Sequence, residues 1–421
     1  MKVLVIGSGG REHAIIDSLS QNKTITTMFA APGNGGIGEV AQLVPIPADN
    51  VQALLGFARS ESIDLTFVGP EVPLGKGIVD LFQTAGLTIV GPTRDQARLE
   101  TSKGFAKHFF RENRIPTADF QECSSPEQAY DVLERSKFPL VIKADGLAAG
   151  KGVSIAASFE DAVEVIRQVM EQKTLGDAGT KVIIEEYLEG EEASFLVFVD
   201  RTDFQPMVVS QDHKRRFDGD IGPNTGGMGA YSIDTILTPD VQRQVVDSII
   251  RPTLDAAKFY SGILFAGLML TPQGPKLIEY NARFGDPETQ VVLQRLKTDL
   301  LDVFFDIAEH RLATRKLEWR TEATAVVTLV ADSYPGKVET GKRIFGLEEA
   351  GRVDNVKVYH AGTRFEDGHF YTAGGRVLNV AARGNTLSQA LDRAYHVAEM
   401  IRFEGKDYRR DIGKKGLSRE K

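Results

Sequence analysis

Val3-Leu4-Val5-Ile6-Gly7-Ser8-Gly9-Gly10 opens the chain as an apolar run that breaks abruptly into glycines. A short aliphatic run closed by a turn signal reads as a buried strand followed by a tight turn. Three later segments repeat the pattern. Thr27-Met28-Phe29-Ala30 leads to Pro32-Gly33-Asn34-Gly35-Gly36, Leu65-Thr66-Phe67-Val68 to Gly69-Pro70-Glu71, and Thr88-Ile89-Val90 to Gly91-Pro92. Four strands, each with a Gly/Pro loop at its carboxyl end, predict a parallel α/β sheet over residues 1–100. Ligands of such sheets bind at that edge.

Beyond residue 100 the pattern changes. Ser125-Pro126-Glu127-Gln128 is a helix start, with Ser as N-cap, Pro at the first helical position and Gln at the third. Ser158-Phe159-Glu160-Asp161 is another, and Ala162, Val163, Val165, Ile166, Val169 and Met170 follow at helical spacing. Strands Pro139–Lys143 and Val182–Glu186 complete a small α+β unit over about 124–190. Residues 193–211 read as a hairpin around Asp200–Asp203, and 263–281 as a second, joined by Thr271-Pro272-Gln273-Gly274. From about 325 the chain is again α+β, with strands near Ala325–Val330 and Val377–Ala381. The expected division is 1–100, 101–325 and 326–421, the charged end Lys414–Lys421 being frayed.

A chain of 421 residues fits two to four domains at ~100–200 residues each. With 42% hydrophobic and 26% charged residues, neither disorder nor a collagen-like repeat is expected. No apolar run reaches the ~18 residues of a membrane helix, and the run ending at Gly7 is too short for a signal peptide. The single cysteine, Cys123, excludes a disulfide framework and a thiolate metal cluster, and fits the reducing cytoplasm. Fifty basic against 58 acidic residues give a net charge of −8. That balance counts against sequence-independent nucleic-acid binding, but leaves room for a local phosphate pocket.

Gly7-Ser8-Gly9-Gly10-Arg11-Glu12 opens like a dinucleotide fingerprint, yet Glu12 replaces its last glycine and no acid ends the second strand. An NAD site is disfavoured. Helix-start amides still suit a phosphate, and Arg11 offers a charged fork. In Lys143-Ala144-Asp145-Gly146-Leu147-Ala148-Ala149-Gly150-Lys151-Gly152, a strand ends in lysine and a glycine loop follows. Gly152 stands where a Walker A loop needs Ser or Thr, so this is another kind of phosphate loop or a plain surface loop. In Lys276-Leu277-Ile278-Glu279-Tyr280-Asn281, strand alternation puts Glu279 and Asn281 on one face and Ile278 and Tyr280 on the other. A carboxylate and an amide oxygen at this spacing are hard ligands for Mg²⁺. The acid run Glu185-Glu186-Tyr187-Leu188-Glu189-Gly190-Glu191-Glu192 is either a solvated edge or an adenine-binding hinge with carboxylates for ribose hydroxyls.

Together, Lys103, Lys143, the glycine loop, the acidic hinge and the E-x-N pair resemble the ATP-grasp superfamily. Val5-Ile6-Gly7-Ser8-Gly9-Gly10-Arg11-Glu12-His13-Ala14, Ala31-Pro32-Gly33-Asn34, His213-Lys214-Arg215, Gly222–Tyr231, Asn281–Gln290 and Gly374-Gly375-Arg376-Val377-Leu378 narrow it. They resemble the phosphoribosylamine–glycine ligase (glycinamide ribonucleotide synthetase) family, over essentially the full chain.

The resemblance implies an N-terminal parallel α/β (pre-ATP-grasp) domain, a central ATP-grasp fold with a small lid, and a C-terminal α+β domain. It implies ATP-dependent joining of glycine to 5-phospho-β-D-ribosylamine through a glycyl phosphate. Lys143, Arg283 and Lys214 would be catalytic. Lys103, Lys143, Gly150, Lys151, Glu185, Glu186, Tyr187, Leu188 and Glu192 would hold ATP. Glu279 and Asn281 would hold Mg²⁺, with Mn²⁺ as an alternative. Gly10, Arg11, Asn34, Gly35, Pro70 and Glu71 suit the ribosylamine. Asp212, Lys214, Asn224, Gly226, Gly227, Arg283, Gly285 and Asp286 would complete the glycine and amine sites. A monomer without nucleic-acid or membrane partners is expected, with hand-over of the short-lived ribosylamine from the preceding enzyme. Another ATP-grasp carboxylate–amine ligase and a non-catalytic nucleotide sensor are the competing readings. Nothing marks a carboxyl-carrier partner.

Overall fold

The computed structural model describes residues 1–146 and 152–420. The first strand, Lys2–Gly7, lies at the centre of a five-stranded parallel sheet, between Thr27–Pro32 and Leu65–Val68. Ile89–Val90 and the two-residue Gln42–Leu43 form its edges. The Gln42–Leu43 strand adds to the four that the sequence signals; two exposed residues carry too little pattern to be read as a strand. Val3–Ile6 are fully buried because helices cover both faces, so the run is continuously apolar rather than alternating.

The small α+β unit is a four-stranded antiparallel sheet in the spatial order Phe120–Cys123, Val182–Glu186, Leu140–Ala144, Val153–Ala156. Its helices start where their caps predict. Ser125 accepts from the Gln128 amide, and Ser158 from the Asp161 amide. The apolar sides of these helices pack on Ile142, Ile184 and Cys123.

Both hairpins join in a second antiparallel sheet, ordered Asp203–Pro206, Glu191–Asp200, Ser261–Thr271, Gly274–Asn281. Ile278 breaks the expected alternation. It is a bulge: Gly267 pairs with Glu279 but Leu268 pairs with Leu277. Leu277 and Tyr280 fill the core face while Ile278 is half-buried. A bulge re-aims the side chains that follow it, here Glu279 and Asn281.

A six-stranded sheet links the middle and end of the chain. Gln211–Asp212, Gly229–Ser232, Ala323–Ala331, Arg376–Gly384 and Val356–His360 lie in that order, with Lys406–Asp407 beside Ala323–Ala331. The charged C-terminal segment is docked rather than frayed over its described residues, 414–420. Lys414–Arg419 is helical, Gly416 is buried against the Tyr231 ring, Arg419 pairs with Glu191, and Leu387 donates to Glu420 at 2.8 Å. Among the described residues no helix is long and apolar enough to cross a membrane.

Candidate active site

The helix Lys103–Glu112 is capped by Ser102, whose hydroxyl accepts from the Phe105 amide. Lys103 and Lys107 lie one turn apart and share a face. Lys107 is buried, with its ammonium 3.0 Å from Glu185 Oε2. Lys143, from the central lid strand, reaches the same oxygen at 3.0 Å. Glu185 Oε1 is buried, with no hydrogen-bond partner among the described residues. Burial lowers the Lys107 pKa to about 8, although Glu185 opposes the shift. Lys143 Nζ also donates to the carbonyl of the bulged Ile278, at 3.4 Å. Lys103 Nζ donates to Gly146 O at 3.2 Å. The next hinge residues diverge: Glu186 is tied to Lys276 at 2.8 Å, Tyr187 is exposed and Leu188 half-buried. Gly150 and Lys151 lie outside the described residues.

Glu279 projects from the strand opposite these lysines. Burial pushes its carboxyl upward, but Lys214, Lys143, Lys103 and Arg283 together hold it below its usual range. A half-buried carboxylate kept ionised by surrounding cations is suited to a metal. The Asn281 amide nitrogen is spent on the Tyr280 carbonyl at 3.1 Å, which leaves Oδ1 as its free donor oxygen. Two hard oxygens on one strand face fit Mg²⁺, with phosphate and water completing its shell.

Carboxylates crowd Lys214, whose ammonium lies 2.6 Å from Glu192 Oε2. Burial would lower its pKa, but Glu192, Asp212 and Glu279 raise it well above the usual lysine value. Burial instead lifts Asp212 to about 7, against the pull of Lys214 and reinforced by Glu288. Glu288 is raised by burial as well; Ser194 Oγ donates to it at 3.3 Å. The Gly285 position must be bare, because a Cβ there would lie 2.3 Å from Glu288 Oε2.

On the N-terminal side, Glu12 folds back under the glycine turn. Its Oε2 accepts from the Gly9 amide at 2.6 Å, and its Oε1 takes Arg11 Nε at 2.8 Å. The carboxylate fills the space between Gly7 and Gly69, which explains why the dinucleotide fingerprint lacks its last glycine. Arg11 is buried and also donates to Phe284 O at 2.7 Å. Arg283 sits between Glu71 at 3.3 Å and Glu100 at 2.7 Å. Asp286 pairs with Arg376 at 3.1 Å, and Arg376 also donates to Gly226 O at 2.6 Å. Gly227 adopts φ +116°, and a Cβ there would meet Pro287 at 2.4 Å.

Pro70 precedes the short helix that Glu71 begins. Asn34 donates to Ser8 O and His360 O, at 2.9 and 2.8 Å, and Gly35 N donates to Thr363 O. Gly10 packs against Gln290 and Asn379. These residues stitch the N-terminal loops to the C-terminal strands.

The whole arrangement has a counterpart in known proteins. Residues 1–100 match the phosphoribosylglycinamide synthetase N domain, 101–289 its ATP-grasp (A) domain, and 324–415 its C domain. The chain belongs to the phosphoribosylglycinamide synthetase family. It is 47% identical over 430 residues to the phosphoribosylamine–glycine ligase of Salmonella typhi, covering 100% of both chains. It is 44% identical over 428 residues to that of Pasteurella multocida, covering 100% of this chain and 99% of the relative. The crystal structure of phosphoribosylamine–glycine ligase from Thermotoga maritima superposes with a TM-score of 0.85 at 32% identity, over 98% of this chain and 100% of that one. A biotin carboxylase domain from Hydrogenobacter thermophilus shares the fold at a TM-score of 0.75 and 16% identity, covering 96% and 91%. As an ATP-grasp family member this chain is an ATP-dependent ligase.

Among the residues expected at the site, Asn224 stands apart. It pairs with Arg215 on a two-stranded hairpin and lines an open cleft of about 1120 Å³ between the lid and the body, shared with Ile155, Phe217 and Tyr334. Lys107, Glu100, Glu288 and Arg376 join the site although the sequence reading assigns them no role. Lys107 had a signal, its helical spacing from Lys103. Glu100 had none, because only the fold brings it to Arg283.

Proposed function

We propose that this member of the phosphoribosylglycinamide synthetase family joins glycine to 5-phospho-β-D-ribosylamine with ATP, giving glycinamide ribonucleotide, ADP and phosphate, the second step of de novo purine synthesis. The observation that carries the reading is Glu279, a half-buried carboxylate facing Lys214, Lys143, Lys103 and Arg283 in a chain whose residues 1–289 and 324–415 match the family.

A carboxylate is a poor electrophile. In the proposed first step a glycine carboxylate oxygen bonds to the γ-phosphorus of ATP, and the bond to the β-γ bridging oxygen breaks to release ADP. In the second, the ribosylamine nitrogen bonds to the glycyl carbonyl carbon, phosphate leaves, and the nitrogen loses a proton. Lys103, Lys143 and Arg283 gather the anionic oxygens and stabilise charge that shifts between them. Mg²⁺, held by Glu279 and Asn281, would neutralise the phosphate oxygens. Asp212 and Glu288, both held above the usual carboxyl range, line the side where an ammonium or a released proton is received. Arg11 and Glu71 shape the ribosylamine side at the carboxyl edge of the parallel sheet. No side chain needs to act as a nucleophile.

Glycine labelled with ¹⁸O in its carboxylate tests the chemistry. The reading expects one label to appear in inorganic phosphate, because a carboxylate oxygen becomes the bridge of the acyl phosphate. Unlabelled phosphate from a reaction that forms glycinamide ribonucleotide would rule out the glycyl phosphate.

A further inference from the structure

We propose that Lys107 is a positioning residue whose charge lets Glu185 release Lys143 to the phosphates of the bound nucleotide. This rests on the ATP reading above. Glu185 is buried, and one of its oxygens is 3.0 Å from both lysines. One carboxylate cannot neutralise two ammonium groups, so with both lysines protonated Lys107, Lys143 and Glu185 together carry a net single positive charge, which faces Glu279.

The lysines are held unequally. Lys107 also donates to Thr117 Oγ1 at 2.8 Å, and that hydroxyl donates to Leu277 O at 2.7 Å, which fixes Lys107 to the strand carrying Glu279. The Phe120 ring lies 5.9 Å from its ammonium. Among the described residues, Lys143 has besides Glu185 a 3.4 Å bond to the Ile278 carbonyl. Lys143 is therefore the one able to swing. Were Lys107 absent, its departure would strand a buried carboxylate, and breaking a buried pair in that way is strongly unfavourable. Lys143 would stay on Glu185, its charge cancelled.

The test compares calorimetric affinities for a non-hydrolysable ATP analogue and for adenosine, in the wild type and in Lys107→Met, Lys107→Arg and Lys107→Met/Glu185→Gln. The readout is the ratio of the two affinities, which a general loosening of the fold leaves unchanged. Lys107→Met should lower the ratio by about ten-fold or more, since a full charge is lost from a poorly screened site. Lys107→Arg, which keeps the charge, should stay within about three-fold of the wild type. The double variant restores the net charge and needs no buried partner for a carboxylate, so it should recover the ratio even if Lys107→Met fails to fold. An unchanged ratio in a folded Lys107→Met, or a double variant still about ten-fold low, overturns the proposal. A wild type that binds adenosine and the analogue equally would instead remove the ATP reading beneath it.

Discussion

Glu279 is half-buried and faces cations that each have another partner: Lys214 has Glu192, Lys143 has Glu185, Lys103 has Gly146 O, and Arg283 has Glu71 and Glu100. Removing its carboxylate therefore leaves each of these cations with a hydrogen-bonding partner. Glu279→Ala should keep its melting temperature within a few degrees while kcat falls by about 10²–10³-fold, the usual effect of losing one charge-stabilising group. Retained turnover in a purified, folded variant would refute its role. Gly227 makes the opposite prediction, a loss of stability. Its φ of +116° and the approach of Pro287 leave no place for a methyl group. Gly227→Ala should cost about 1–3 kcal/mol in urea unfolding, the range for strained backbone.

At the scale of elements, local rules decide what can be read in advance. Helix caps at Ser125 and Ser158 and the glycine-terminated strands are short-range signals, and they are legible. The bulge at Ile278 is not, because it depends on how Gly267 and Leu268 pair across the hairpin. Nor is the docking of Lys414–Arg419, whose composition is that of a solvated tail. It is held by Gly416 against Tyr231 and by Arg419 on Glu191, contacts between distant parts of the chain. Deleting residues 414–421 should therefore lower stability by about 1–3 kcal/mol, read by denaturant midpoint. It should also raise the KM for ATP, because Glu191 adjoins Glu192, the partner of Lys214. A truncated chain with unchanged midpoint and KM would count against this.

For the whole molecule, histidines mark the junctions between regions. His13, from the first helix, accepts the His360 amide at 2.9 Å through Nδ1, a bond that requires the neutral ring. Burial lowers His13 and His213 to about 4 and His360 to about 3. In the unfolded chain all three titrate near 6.5. Between these values the unfolded state binds more protons, so stability is full above pH ~6.5 and falls as pH drops toward 4. Each contributes up to about 1.4 kcal/mol per pH unit in that window. The melting temperature should drop on going from pH 7.5 to pH 5, and His13→Gln should flatten the slope. A profile as steep as the wild type's would contradict the assignment to His13.

The same junctions explain how much of the site the sequence discloses. Glu279 and Asn281 can be paired in advance because they share one strand, and Lys143 stands out because it lies near a strand's end. Lys107 with Glu185, and Arg283 with Glu100, become pairs only when separate elements meet. The central claim is that these assembled groups link ATP cleavage to glycine and ribosylamine. ADP release tests it most directly, with Mg²⁺, ATP, glycine and phosphoribosylamine formed in situ from ribose 5-phosphate and ammonia, each omitted in turn. Release should need every component, with glycinamide ribonucleotide accumulating alongside it. ADP release that continues without glycine or without the ribosylamine would contradict it.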